Sequence, residues 1–170
     1  MKVEALSSRD NPLFVKVRKL LRDPGAYRKL GAVWLEGDHL GAAWRARGGG
    51  GGEAVFTEAA WLLADDQLRS AADRVVRVPD PLLAHISGLD SPPAMGFAWA
   101  PPPAPTLAPG LATVVLDRLQ DAGNVGTILR SAAAFGFGEV AALRETAALW
   151  SPKVLRAGMG AHFALRLVEG

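Results

Sequence analysis

Cysteine is absent from the 170 residues, which excludes disulfides, thiolate metal sites and a cysteine nucleophile. Tyrosine occurs once and aromatic residues make up 7% of the chain, so reading single-stranded bases by stacking has little material to work with. No apolar run approaches the ~18 residues that suggest a membrane span, and the opening MKVEALSSRDNP lacks the apolar stretch of a secretory signal. The expected compartment is the cytoplasm, with no membrane partner. The histidines, His39, His85 and His162, show no metal-ligand spacing, and no metal is expected.

A large net charge is also lacking, but the +2 is unevenly spread. Residues 1–30 hold eight Lys/Arg against three acids, a balance of +5, and the remainder holds eleven against fourteen, a balance of −3. A basic front on a near-neutral body suits a polyanionic partner, although a solvated helix face gives the same count.

The hydrophobic pattern predicts alternating elements. A helix begins at Asn11-Pro12, where Asn caps and Pro at the first helical position loses no needed hydrogen bond. Its apolar stripe is Leu13, Phe14, Val17, Leu20 and Leu21; Lys16, Arg18, Lys19 and Arg22 lie opposite, and Asp23-Pro24-Gly25 stops it. A strand at residues 32–35, a helix at 38–47 with Leu40, Ala43 and Trp44 inward, and a strand at 54–56 follow. Thr57 is suited to cap a helix reaching about Leu68, before a strand at 75–78 and a helix at 80–87. The five glycines at 48–52 precede no Gly-Lys-Ser/Thr, so the phosphate-loop pattern fails and a flexible connector is the expectation.

Seven of the twelve prolines fall between residues 92 and 109. Such density excludes an interior helix or central strand throughout; Met95 to Ala100 is expected to pair only as an edge strand. The expected organisation is a front domain at 1–100, a linker at 101–110 and a second domain at 111–170. The second domain reads as strand 112–116, helix to Phe135, strand 140–143, a helix opened by Ser151-Pro152, and a strand within 163–168. This is the β-α-β-α-β start of an open parallel sheet, with too few elements to cover both faces. The fold class is therefore α/β.

Chemistry concentrates in LDRLQDAGNVGTILRSAAAFGFG, residues 116–138. Asn124 falls where a helix starts beyond the carboxyl end of a strand, the usual ligand crevice of open α/β sheets. Gly123 and Gly126 are expected to leave room for a ligand, and Arg130 lies one turn beyond Gly126. An amide and a forked guanidinium there suit a ribose and a phosphate. Taken singly, Asn124 also suits a helix cap and Arg130 a surface charge. A dinucleotide-binding reading finds only Gly136-Phe137-Gly138, after a helix instead of a strand.

The stretch NVGTILRSAAAFG resembles the first signature motif of the SpoU/TrmH group of RNA ribose 2′-O-methyltransferases, of the SPOUT superfamily. SPKVLRAGMGAHF resembles the helix and strand that follow it there; SSRDNP, WLEG and PPAMGF resemble that group's substrate-binding domain. The resemblance implies a ribosomal-protein L30e-like α/β sandwich followed by the first part of an α/β-knot methyltransferase domain. It implies S-adenosylmethionine as cofactor, ribosomal or transfer RNA as substrate, and a homodimer in the complete protein. Asn124 and Arg130 match the group's catalytic positions. The front domain would hold RNA phosphates through Arg9, Lys16, Arg18, Lys19, Arg22 and Arg28, with Asn11 either joining them or only capping its helix. Two later motifs, a Gly-rich loop with a Glu and a segment with Ser, Leu and Asn, form the group's cofactor-holding knot. Neither is matched within residues 139–170, and Gly158-Met159-Gly160 comes too early and lacks the Glu. The expectation is an incomplete methyltransferase with no cofactor-binding residue of its own, or else a non-catalytic RNA-binding chain.

Changing Lys16, Lys19 and Arg22 together to Glu is predicted to weaken RNA binding. It should also reduce the slope of log affinity against log salt by about 2 to 3 units, one phosphate contact per residue. Titrations at several salt concentrations read this directly, and an unchanged slope removes the helix from the RNA contact.

Overall fold

The basic helix begins as its sequence requires. In the structure, a computed structural model describing residues 2–87, 89–103 and 105–170, Asn11 Oδ1 accepts from the Leu13 amide at 3.0 Å. This opens α1, Pro12–Arg22, which buries Leu13, Phe14, Val17 and Leu20 and leaves Leu21 half-buried. Ahead of it lies a strand, β1 (Lys2–Ala5), that its short and mostly exposed run did not reveal. The Asp23–Gly25 turn does stop α1, but a further short helix, α2 (Ala26–Leu30), follows and ends on left-handed Gly31.

The chain divides into two units, Met1–Pro101 and Pro102–Gly170. The first continues through β2 (Val33–Glu36), α3 (Asp38–Ala46), β3 (Glu53–Thr57), α4 (Glu58–Leu63), α5 (Asp66–Arg69), β4 (Arg74–Val78), α6 (Asp80–Ser87) and β5 (Met95–Trp99). The strand order is β1-β4-β3-β5-β2. β5 runs antiparallel to both its neighbours, and the β1–β4 and β3–β4 pairs are parallel.

Three expectations for this unit need correcting. β5 lies inside the sheet and not at its edge, because the residues from Met95 to Trp99 contain no proline and keep every amide for pairing. The helix expected from Thr57 to Leu68 is two helices: Thr57 caps the first, Ala64 is extended, and Asp65 caps the second by accepting from the Leu68 amide at 2.8 Å. The glycine run is a packed turn. A Cβ on Gly49 would lie 2.2 Å from the Trp44 ring, and Gly52, at φ 74°, lies with its Cβ position 2.3 Å from the Ala98 carbonyl oxygen. Glycine is needed there for close approach and not for looseness. Trp44, Phe56 and Phe97 fill the core, with ring centroids 5.7 Å (Trp44–Phe97) and 5.8 Å (Phe56–Phe97) apart.

The second unit comprises β6 (Thr113–Leu116), α7 (Ala122–Ala134), β7 (Glu139–Ala142), α8 (Pro152–Gly158), a 3₁₀ turn (Ala161–Ala164) and β8 (Arg166–Glu169). All pairings in its sheet, ordered β6-β7-β8, are parallel. Leu116, Val140, Ala142 and Leu167 face a core completed by Val125, Leu129, Ala132, Leu149 and Val154. On the opposite face Val115 is 58% exposed. Among the described residues, no helix is long and apolar enough to cross a membrane.

Gly126 is where α7 meets α8. A Cβ there would lie 2.4 Å from the Ala157 Cβ and 2.7 Å from the Gly158 nitrogen. Gly126→Ala is therefore predicted to force the helices apart and cost about 1–3 kcal/mol, as overpacking of a close contact does. Urea unfolding measures it, and a change below a few tenths would show that the helices already have slack.

Candidate active site

β6 delivers the chain at Leu116 to a short loop, and Asp121 then starts α7. Asp121 Oδ1 accepts from the Asn124 amide at 2.6 Å, so Asp121 is the cap and Asn124 is the third helical residue. Asn124 thus stands in the first turn of α7, where the helix starts, but is not its cap; its side chain is exposed and free of capping. The signal for this was an acid three residues before Asn124, the spacing of a side-chain cap.

Arg130 lies on the same helix and is exposed. Six residues separate it from Asn124, about 9 Å along the axis and roughly 240° around it. Among the described residues neither side chain has a hydrogen-bond or ion-pair partner. By contrast, Arg118 donates to both carboxylate oxygens of Asp117 at 3.0 and 3.2 Å. Arg130 is thus a guanidinium whose fork is uncommitted. Gly126 does not provide the ligand space expected of it, because α8 fills it; Gly123 remains exposed.

Hydrogen bonds knit the loops at the carboxyl ends of β6 and β7. Leu143 donates its amide to Leu116 O at 2.9 Å, Thr146 its hydroxyl to the same oxygen at 3.1 Å, and Ala147 its amide to Leu119 O at 2.9 Å. Two non-glycine residues in these loops, Arg118 at φ 51° and Glu145 at φ 70°, hold left-handed backbone. Such costly conformations gather at functional sites.

In the first unit, Arg9, Lys19, Arg22 and Arg28 are exposed, and Lys16 and Arg18 are half-buried. Arg18 donates to the Arg9 carbonyl at 2.9 Å, which brings those two together, and Arg28 lies over the Tyr27 ring at 4.9 Å. Asn11 is engaged as the α1 cap. Lys19 and Arg22 stand in the last turn of α1, where cations also complement the helix dipole.

His39 and His85 are exposed, whereas His162 is 1% exposed. Among the described residues there is no cluster of three or more metal-ligating side chains. His162 Nε2 lies 2.8 Å from the Leu149 carbonyl, so it carries the proton and donates. Nδ1 is buried without a partner, against Gly158, whose Cβ position is 2.5 Å from the His162 ring. Sequence gave no hint of this burial beyond the apolar residues around it.

The second unit is thus an open parallel sheet with a capped helix beyond its first strand, and that helix presents an unpaired guanidinium. Residues 112–170 match the SpoU rRNA Methylase family. It is 34% identical over 96% of its length to an uncharacterized tRNA/rRNA methyltransferase of Synechocystis, of which it covers 61%. Over 56 residues, 33% of this chain and 13% of the relative, it is 52% identical to the mitochondrial rRNA methyltransferase 3 of Mus musculus. Its fold matches the AdoMet-bound rRNA methyltransferase from Sinorhizobium meliloti with a TM-score of 0.82 and 24% identity, over 98% of this chain and 64% of that one. The chain thus spans somewhat over three fifths of the length of the Synechocystis and Sinorhizobium proteins.

Burial depresses the His162 pKa to about 4, against a smaller upward pull from the Leu149 carbonyl. Its neutral form therefore contributes stability fully above pH 6.5, and that contribution is lost as pH falls through the interval down to about 4, where the unfolded chain takes up a proton that the native site refuses. By pH 5 the loss is expected to be about 2 kcal/mol. Denaturant unfolding of the wild type and His162→Gln at pH 7 and pH 5 tests this: the two should differ in pH dependence by that amount, and parallel behaviour would rule out the assignment.

Proposed function

We propose that this chain serves in methyl transfer from S-adenosylmethionine to a ribose 2′-hydroxyl of ribosomal or transfer RNA, with residues 1–100 gripping the RNA. The observation that carries the reading is the free guanidinium of Arg130 on a helix whose sequence is family-matched. The 2′-O position and the homodimeric state rest on the SpoU/TrmH resemblance. Methyl transfer and an RNA substrate are supported by what the similar proteins are named for.

S-adenosylmethionine supplies a methyl group already activated by its sulfonium. Of the two glycines expected to leave room for a ligand, Gly126 is filled by α8 and Gly123 is exposed. No residue of this chain is assigned to holding the cofactor, and the roles proposed for its side chains concern the RNA. A guanidinium keeps its proton throughout the physiological pH range and is a poor base. Arg130 instead orients a phosphate beside the target ribose and stabilises the oxyanion developing at the 2′-oxygen. Asn124, released from capping by Asp121, offers its carboxamide to the ribose. Arg9, Lys16, Arg18, Lys19, Arg22 and Arg28 neutralise backbone phosphates, so the grip follows shape and charge more than base identity.

Single-turnover methylation at saturating RNA and cofactor, by a version of the protein carrying a complete catalytic domain and with RNA affinity measured alongside, tests the assignment. Arg130→Ala should lower transfer ~10²–10³-fold with little change in RNA affinity. Arg130→Lys should fail too, because a point charge does not reproduce the planar fork. Asn124→Ala should give a milder defect. Near-normal transfer by Arg130→Ala would return Arg130 to the role of a surface charge. A wild-type chain that binds RNA without transferring methyl would favour the RNA-binding reading.

A further inference from the structure

Glu139 opens β7 and is wholly buried, although its neighbours on the same sheet face include the exposed Val115. Burying a carboxylate is costly unless every lone pair is answered. Here the answers come from three separate stretches of chain. Thr113 Oγ1 donates from β6 at 2.9 Å, the Ala108 amide donates from the proline-rich segment at 3.1 Å, and Arg166 Nε approaches from β8 at 3.4 Å. Thr113, Glu139 and Arg166 share one row of the sheet, since Thr113 is in register with Glu139 and Glu139 with Arg166. Arg166 then uses a second nitrogen to donate to the Thr106 carbonyl at 3.0 Å. Burial pushes the Glu139 carboxyl up, but the hydrogen bonds from Thr113, Ala108 and Arg166 outweigh it and hold the group below the usual carboxylate range.

The geometry points to a latch: Glu139 and Arg166 strap residues 106–111 onto the sheet of the second unit, so that the proline-rich segment loses its freedom from Thr106 onward. The strap closes on itself as well, with the Leu111 amide donating to Ala108 O at 3.3 Å and the Gly138 amide to Ala112 O at 3.3 Å. A Cβ on Gly138 would lie 3.5 Å from the Leu111 side chain. Among the described residues, Thr106 is the first of the proline-rich segment to bond to this sheet. The connector expected to run over 101–110 is halved by a carboxylate 31 residues downstream of Ala108. The latch acts on the freedom of the tether and does not depend on which reaction the chain serves.

Hydrogen exchange of backbone amides in the full chain tests it. In the wild type the Ala108 amide should be protected well beyond a free peptide. Glu139→Val removes the acceptor and should speed Ala108 exchange roughly tenfold. Arg166→Gln, which keeps the acceptor but releases Thr106 and the charge, should speed it several-fold. The sheet amides of Val140 and Leu167 serve as the control and should stay protected in both. If Glu139→Val also exposes the sheet amides, Arg166→Gln decides. A wild-type Ala108 amide that exchanges like a free peptide, or an Arg166→Gln variant with wild-type protection at Ala108, would overturn the latch.

Discussion

Helices α7 and α8 meet at a residue with no side chain. Because nothing projects from Gly126, Ala157 and Gly158 lie directly on the α7 backbone. Everything proposed for this chain's chemistry is mounted on that contact. It fixes how α7 rolls against the second unit, and the roll decides that Val125, Leu129 and Ala132 are buried while Asn124 and Arg130 face outward. A helix with a bulkier residue at position 126 would meet α8 differently and turn Arg130 with it. Interiors packed at crystal-like density do not absorb such changes smoothly.

Polar groups do the complementary work of tying segments together where the sheets are small. Arg74 bonds to Glu4 and to Glu53, 2.6 Å away for Glu53, and so links β1, β4 and β3 across the front sheet. In the second unit Glu139 does the same for β6, β8 and the segment before β6. His162 anchors the 3₁₀ turn to Leu149 and stacks near Trp150, with centroids 5.3 Å apart. These arrangements are specific because an unanswered charge in the same place would be far costlier than the bond is favourable.

The elements whose signals are local were legible in advance. Asn11-Pro12 announced α1 because a cap and a first-turn proline act within one turn of the chain. The apolar runs of β2 and β6, and the alternation of strands and helices, likewise follow from short-range pattern. The candidate site was legible as a motif through Asn124 and Arg130. Its geometry was not, because Asp121 took the cap, and because whether Gly126 faces a ligand or a helix depends on α8, which is remote in sequence. β1 went unseen since its few exposed residues become a strand only when β4 offers them a partner.

What the sequence by itself determined is the kind of chain this is: α/β, basic at the front, free of cysteine chemistry, with one family-matched stretch around Asn124 and Arg130. What only the tertiary structure decided is which of its small and polar residues are free. β5 became an interior strand, Gly49 and Gly126 became packing contacts, Asn124 was released from capping, and Glu139 closed on Ala108 from 31 residues away. The physical reason is common to all of these. Propensity and periodicity act over a few residues, whereas the burial of a polar group or the filling of a glycine's empty side is settled by whichever distant segment arrives there.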